Sequence, residues 1–280
     1  MSKCILVIGG AGGVGSAVVN SLASRGDTVA TTVLEATEAD SIDTRYGGAV
    51  KAHTVDLSNA AAALPKIKLL VDTMPALDAV VVCAAIAPVG PMELTTLSTY
   101  HKTFEINCVS AVSVYQATMP ALRKTRGRIV LLSSMGGRAA FPFMSAYIAT
   151  KFALEGLGDV MRREASPQGV KVSIVEPGGI RTNLVRQQLM DVEPAYAALG
   201  EEDRERYGYL YKGYLKMAGD SLRETASTPD EIAAVVVEAL DAPEPESRYV
   251  AGADAKHFFE MSRAMSDREV DEVFRQMFLI

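Results

Sequence analysis

The chain predicts an α/β protein built on a doubly wound parallel sheet. Three observations carry this. Short apolar runs alternate with helix-length segments from the first residues onward. Strands separated by helices of that size pair in parallel and are covered on both faces. The first run, Cys4–Ile8, leads straight into the glycine-rich stretch Ile8-Gly9-Gly10-Ala11-Gly12-Gly13-Val14-Gly15. The 280 residues are 49% hydrophobic and 22% charged, enough apolar material for a large core without disulfide or metal staples.

The elements follow in order. Cys4–Ile8 is a strand, and residues 14–25 form a helix closed by Gly26. Thr28–Val33 is β-branched and strand-forming, residues 50–55 form a weaker strand, and an alanine-rich helix starts at Asn59. A buried strand at residues 79–83 precedes one long helix over residues 100–122. Arg128–Leu132 is a strand, residues 146–165 a helix and residues 170–175 a strand. Residues 180–226 break the rhythm: they are polar and charged and carry Tyr196, Tyr207, Tyr209, Tyr211 and Tyr214. Thr228-Pro-Asp-Glu231 restarts it, with Thr228 as cap, Pro229 at the first helical position and Glu231 completing a capping box. Residues 248–250 form a last strand and residues 254–280 a helical tail. No repeat or linker divides the chain, so one domain is expected, with an insertion at residues 180–226.

Composition excludes several functions. The net charge is −6 and no block of lysines or arginines stands out, so no nucleic-acid partner is expected. Cys4, Cys83 and Cys108 are scattered, as free buried thiols in a reducing compartment would be. His53, His101 and His257 form no ligand pattern, so no metal is expected. The longest apolar stretch, around residues 79–89, is far below the ~18 residues of a membrane span. Cys4–Ile8 is too short for a signal-peptide core. A cytoplasmic protein is expected.

A glycine loop between a strand and a helix suits a dinucleotide. It turns tightly, admits a pyrophosphate close to the backbone, and points free N–H groups at it from the helix N-terminus. Two registers overlap: Gly10, Gly12 and Gly15 spell G-x-G-x-x-G, while Gly9, Gly13 and Gly15 spell G-x-x-x-G-x-G.

Tyr147 and Lys151 are four residues apart in one helix and share a face. Ser134 lies thirteen residues before Tyr147, past the C-terminal end of a strand, where ligands bind in open parallel sheets. The three make a metal-free hydride-transfer site. Tyrosine can exchange a proton with a carbonyl or alcohol oxygen if its pKa falls from about 10 toward 7. That is roughly 4 kcal/mol, within reach of the Lys151 ammonium plus a positively charged nicotinamide. Lys151 can also hold ribose hydroxyls, and Ser134 can hydrogen-bond the carbonyl oxygen.

On these motifs the sequence resembles the short-chain dehydrogenase/reductase family over nearly the whole chain. The resemblance implies a Rossmann-type fold with strand order 3-2-1-4-5-6-7. It implies the register Gly9, Gly13, Gly15, with Val14 in the same cofactor loop. It makes Asn107, in Phe104-Glu-Ile-Asn107, a fourth catalytic residue that holds a relay water. It makes Asp56 an adenine contact. Pro177 and Gly178 open the family's Pro-Gly segment, in which Ile180 and Thr182 contact the nicotinamide carboxamide. It also implies a homodimer or homotetramer built on the helices at 100–122 and 146–165. Competing readings are a surface amide for Asn107, a helix cap for Asp56 and a loop hydroxyl for Thr182.

The sequence departs from the family at three places. Ile8 stands where threonine is usual, and Val82-Cys83-Ala84-Ala85 replaces an Asn-Asn-Ala-Gly stretch. The third is the cofactor selector. Val33 and Leu34 hold the acidic and basic positions, so neither signature is present. Glu35, Glu38, Asp40 and Asp43 follow, with no lysine or arginine over residues 29–44. A 2′-phosphate would find little compensation there. NAD is the expected cofactor, with NADP as the alternative.

The tyrosine-rich insertion suits a flat, apolar ligand with a polar end, unless it is an amphipathic element packing on its own domain. The stretch Arg248-Tyr-Val-Ala-Gly-Ala-Asp-Ala-Lys256 is similar to family branches that handle steroids, retinoids and other hydrophobic alcohols. The expected substrate is a bulky secondary alcohol or ketone. The alternatives are an epimerase or dehydratase on the same fold, disfavoured because only about 100 residues follow Pro177, and a non-enzymatic dinucleotide-binding regulator, disfavoured because Tyr147 and Lys151 are both present.

Overall fold

The computed structural model describes residues 2–278. The last two residues of the expected tail, 279 and 280, lie outside the described residues. The elements run β1 (Cys4–Ile8), α1 (Gly13–Ser24), β2 (Thr28–Val33), α2 (Ala36–Tyr46), β3 (Val50–Thr54), α3 (Ala60–Asp72), β4 (Ala79–Val82), α4 (Leu97–Phe104), α5 (Ser110–Thr125), β5 (Arg128–Leu132), α6 (Ser145–Ala165), β6 (Lys171–Pro177), α7 (Asn183–Ala197), α8 (Glu201–Glu224), α9 (Pro229–Asp241), β7 (Arg248–Ala251), α10 (Ala253–Arg263) and α11 (Asp267–Phe278).

The strands form one parallel sheet in the order β3-β2-β1-β4-β5-β6-β7. This is the doubly wound order that the family resemblance implied. Alternation along each strand divides the core in two. Leu6, Ile8, Val80, Val82, Ile129, Leu131, Val172 and Ile174 face one way, onto Ile67 of α3, Val114 of α5 and Leu154 of α6. Ile5, Val7, Val29, Val81, Val130 and Val175 face the other, onto Val18 of α1, Ile42 of α2 and Val236 of α9. Each such fully buried side chain contributes about 1.5–3 kcal/mol. The crossover between β1 and β4 opens the crevice at the C-terminal strand ends where such sheets bind ligands.

Two expectations need correction, and one open alternative is decided. The long helix of residues 100–122 is two helices joined by a π-turn over Glu105–Val109, which contains Asn107. Such widened turns re-aim a side chain inside a helix and cluster at functional sites, and apolar periodicity alone does not reveal them. Helix α2 was not expected, because only Ile42 of its eleven residues is buried and the segment has no apolar stripe. Its capping box of Glu35 and Glu38 was the available signal. Finally, of the two readings of the insertion, the element packing on its own domain is the one found for most of its tyrosines. Tyr211 and Tyr214 are buried against Phe143, at ring-centroid distances of 4.8 and 5.1 Å, and Tyr196 lies 5.5 Å from Tyr211.

The Thr228–Glu231 capping box forms as expected. Helix α11 returns to pack on α8, with Phe278 filling space that only Gly213 leaves open. Among the described residues, no helix is long and apolar enough to cross a membrane.

Candidate active site

One cavity of about 1470 Å³ opens at the C-terminal strand ends. Its wall includes Gly9, Gly13, Val14, Gly15, Asp56, Ser134, Tyr147, Lys151, Pro177, Gly178, Ile180 and Thr182. The structure therefore brings together every sequence-derived candidate except Asn107, which stands behind the wall.

The glycine loop is constrained by backbone contact. A Cβ on Gly15 would fall 2.1 Å from the Gly9 carbonyl oxygen, and one on Gly9 would fall 2.8 Å from Ala84. Gly9 also has φ of +85°, a region glycine alone enters freely. A Cβ on Gly13 would meet Thr182 at 2.7 Å, whereas one on Gly12 would meet nothing closer than 3.7 Å. The close approaches thus fall at Gly9, Gly13 and Gly15, with Gly10 a further one against Thr31 at 2.0 Å. Helix α1 has neither a capping side chain nor an acid in its first turn, so its terminal N–H groups and positive dipole end suit a pyrophosphate. The hydroxyl missing at Ile8 is replaced from β2: Thr32 Oγ1 accepts the Gly9 N–H at 3.1 Å.

Helix α6 carries Tyr147 and Lys151 one turn apart. Its entry is fixed by Phe143, whose φ of +73° is costly for a side-chain-bearing residue. The ring packing on Tyr211 and Tyr214, and the Gly90 N–H donated to the Phe143 carbonyl at 2.8 Å, hold it there. Ser134 begins a tight turn and accepts the Gly136 N–H at 3.0 Å. A Cβ on Gly136 would lie 3.4 Å from Ser134 Oγ and 3.6 Å from Tyr147 Cε1, so both groups flank this glycine.

Lys151 is 3% exposed. Its Nζ donates to the Leu132 carbonyl at 2.8 Å and lies 5.5 Å from the Tyr147 ring centroid. Burial pushes the ammonium down to about 8. Burial likewise pushes the Tyr147 hydroxyl above its ordinary value, while the neighbouring Ser134 hydroxyl pulls the other way. Without the positive nicotinamide that the sequence-based argument adds, Lys151 is not among the groups that move Tyr147. Its ammonium is held against a backbone carbonyl and is itself disfavoured by the same dry surroundings.

A pH dependence follows. Because the folded pKa of Lys151 is depressed, the unfolded chain binds more protons between pH about 8 and its ordinary value of 10.5. Lys151 therefore adds stability as pH rises through that window, and its burial penalty is fully present below it. Unfolding free energy of Lys151→Met relative to the unmodified protein should shift in favour of the unmodified protein by about 2 kcal/mol between pH 7.5 and pH 10. Urea titrations at the two values check this. A pH-independent difference contradicts it.

Asn107 is 3% exposed, which rules out the surface-amide reading. Its Nδ2 donates to the Ile86 carbonyl at 2.8 Å and Thr150 Oγ1 at 3.0 Å, and its Oδ1 accepts the Ile86 N–H at 2.9 Å. It thereby ties the loop after β4 to α6. Together with the Cys83 and Ala84 N–H groups donated to the Ile8 carbonyl, it holds the loop from which the family's asparagine pair is missing. Asp56 does not cap α3; Asn59 does, accepting the Ala62 N–H. The Asp56 carboxylate instead accepts from the Ser58 N–H and hydroxyl, both at 2.8 Å, which lowers its pKa. The Thr182 hydroxyl is the N-cap of α7.

Sequence reasoning named Glu38 only as part of an acidic stretch and missed several other wall residues. Glu38 lines the cavity and its Oε2 accepts the N–H groups of Leu34 at 2.9 Å and Glu35 at 3.1 Å. Gln188, buried, donates to the Ala87 carbonyl and accepts the Tyr214 hydroxyl at 3.0 Å. Asp254, His257, Phe258, Met261, Val273 and Met277 bring the C-terminal helices into the wall. No local motif marks these, since chain reversal alone places them there. Among the described residues, no group of three or more histidine, cysteine or acidic side chains is placed to hold a metal ion.

The comparisons agree with this geometry. A family profile described as short chain dehydrogenase matches residues 3–193. The chain is 30% identical over 275 residues to 3-amino-tetrahydro-pyrrolizinone reductase of Xenorhabdus hominickii, covering 97% of this chain and 94% of that one. It is 28% identical over 263 residues to 17-beta-hydroxysteroid dehydrogenase type 6 of Homo sapiens, covering 92% and 83%. A solved short-chain dehydrogenase from Streptomyces avermitilis superposes with a TM-score of 0.77 at 27% identity, over 99% of each chain. Another from Burkholderia cenocepacia, solved in complex with NADP, superposes with a TM-score of 0.73 at 20% identity, over 100% of this chain and 98% of that one. The chain belongs to the short-chain dehydrogenase family and is an oxidoreductase of that family.

Proposed function

We propose that the protein transfers a hydride between a nicotinamide dinucleotide and a bulky hydrophobic secondary alcohol or ketone, of steroid-, retinoid- or aromatic-like character. One observation carries this. The cavity that holds Ser134, Tyr147 and Lys151 is continuous with the glycine loop and with a wall of Phe141, Met144, Met217, Phe258, Met261 and Met277. Methionine side chains adapt to irregular apolar ligands. When bound, the cofactor supplies or accepts the hydride. Tyr147 gives or takes the proton at the substrate oxygen, and Ser134 donates to that oxygen. Lys151 holds the ribose hydroxyls. Gly9, Gly13, Val14 and Gly15 shape the pyrophosphate cradle, Asp56 meets the adenine, and Ile180 and Thr182, after Pro177 and Gly178, meet the carboxamide. Asn107 fixes the loop beside them and holds a relay water. Helices α7 and α8 are the substrate lid of a single domain. Free Cys4, Cys83 and Cys108 suit the cytoplasm.

The test is nicotinamide absorbance with a panel of alcohols and ketones of graded size. Catalytic efficiency is expected to rise with apolar bulk. A preference for small polar substrates counts against the proposed class.

For the cofactor, NAD is proposed. The N–H groups of Leu34 and Glu35 that could receive a 2′-phosphate already serve the Glu38 carboxylate, and the segment offers no cation in exchange. NAD is expected to bind about tenfold to a hundredfold tighter than NADP, and Leu34→Arg to narrow or reverse the gap. Titration with both cofactors checks this, and tighter NADP binding by the unmodified protein overturns it.

A homodimer or homotetramer is also proposed. Val109, Phe152 and Val160 on the outward faces of the π-turn and α6 are 45%, 45% and 48% exposed, an apolar surface that association would cover. Light scattering at micromolar concentration should give a mass of two or four chains, and a monomer refutes it.

A further inference from the structure

The segment Gly178-Gly179-Ile180 is gripped by a carboxylate from the far end of the chain. Asp254, the second residue of α10, accepts the Gly179 N–H on Oδ2 at 2.7 Å and the Ala255 N–H on Oδ1 at 2.8 Å. Three glycines make room for it. A Cβ on Gly178 would fall 2.1 Å from Asp254 Oδ1, one on Gly252 would fall 2.7 Å from the same atom, and one on Gly179 would lie 3.4 Å from Oδ2. Gly252 adds φ of +99°, which sets α10 to start directly beneath the segment. The other hydrogen bonds of the segment are backbone pairings: Gly178 N–H to the Ala251 carbonyl at 3.0 Å, Ser227 N–H to the Gly179 carbonyl at 2.9 Å and Thr182 N–H to the Ile180 carbonyl at 2.8 Å, with the adjoining Arg181 N–H on the Ser227 carbonyl at 2.9 Å. Asp254 is the one side chain among these contacts, and its two carboxylate oxygens each take an N–H. Hydrogen bonds to an ionised acceptor are about twice as strong as neutral ones.

We infer that Asp254 is a positioning residue for the nicotinamide end of the cofactor site. It holds the Gly178–Ile180 backbone at the height where Ile180 meets the carboxamide, and it does so from α10. His257 and Met261 lie one and two turns further along that helix, and both line the same cavity. The C-terminal region is thus joined to the cofactor loop and is not only a wall for substrate. The inference rests on the proposed contact between Ile180, Thr182 and the nicotinamide.

The experiment titrates NADH and ADP-ribose, which lacks the nicotinamide, into the unmodified protein, Asp254→Ala and Asp254→Asn. The 2′-phosphorylated pair is run in parallel. Asp254→Ala should weaken NADH by at least about tenfold while ADP-ribose changes by less than about threefold. Asp254→Asn keeps an oxygen for the Gly179 N–H, so the same ratio should move in the same direction by a smaller factor, and this variant serves where the alanine variant fails to fold. If both ligands weaken equally, or neither does, Asp254 has only a general structural role and the inference falls. If the unmodified protein binds NADH no more tightly than ADP-ribose, the nicotinamide contact itself is wrong, and the inference falls with it.

Discussion

Tyr147→Phe should lower turnover by at least about 10²-fold while leaving cofactor affinity within a small factor. The phenyl ring fills the same space beside Gly136 and Lys151, so packing persists and only the hydroxyl is lost. Tyr147 and Ser134 line the same cavity, and burial pushes the Tyr147 hydroxyl above its ordinary value, which favours its protonated form at neutral pH. A carbonyl substrate therefore meets a ready proton donor. Alcohol oxidation needs the phenolate, which the protein's own groups disfavour, so the oxidative direction should be slow at neutral pH and rise with alkalinity. Steady-state kinetics beside a cofactor titration separate the two effects. Near-normal turnover would remove Tyr147 from the chemistry.

The second large effect is expected in the glycine loop. Gly15→Ala would drive a methyl group to 2.1 Å from the Gly9 carbonyl oxygen, and backbone has no rotamer by which to yield. The turn must open, α1 must shift from β1, and cofactor affinity should fall by about 10² or more, with stability falling by roughly 1–3 kcal/mol as for other overpacked sites. Gly12→Ala is the control. Gly12 has φ −70° and ψ 164°, an ordinary extended conformation, and its added methyl meets nothing within 3.4 Å. It should bind cofactor almost normally. The opposite pattern, with Gly12→Ala the damaging change, would favour the competing G-x-G-x-x-G register.

The legibility of this chain followed where its physics is local. Strands such as Thr28–Val33 and Arg128–Leu132 were readable from β-branched and apolar runs, and the start of α9 from its capping box, because these signals sit within a few residues. The grouping of Ser134, Tyr147 and Lys151 was readable because a strand end and one helical turn fix their spacing. The π-turn at Asn107 was not, since the signal lies in Ile86 and Thr150, which are distant in sequence. Helix α2 was hidden because it faces solvent on almost every side and leaves no apolar stripe. The five tyrosines of residues 180–226 were legible as aromatic, with ligand contact and internal packing both open: Phe143, over fifty residues before the first of them, decides where two of them point. Asp254 was the least legible, because its partners Gly178 and Gly179 lie across the β6–β7 edge. The burial of Tyr147 and Lys151 was not legible for a related reason. Proximity of Lys151 was foreseen, but the dry surroundings that weaken both ionised forms were not.

The central claim is that a hydride crosses between nicotinamide and a bulky carbonyl carbon in this one cavity. It is tested most directly by incubating the protein with NADH deuterated at the transferring position, together with a pool of bulky ketones, and analysing products by mass spectrometry. The account predicts alcohols that carry the deuterium on the carbinol carbon, formed by the unmodified protein and strongly suppressed in Tyr147→Phe. Alcohols without the label, label incorporated equally by the Tyr147→Phe variant, or no alcohol from any ketone that fits the cavity would contradict it.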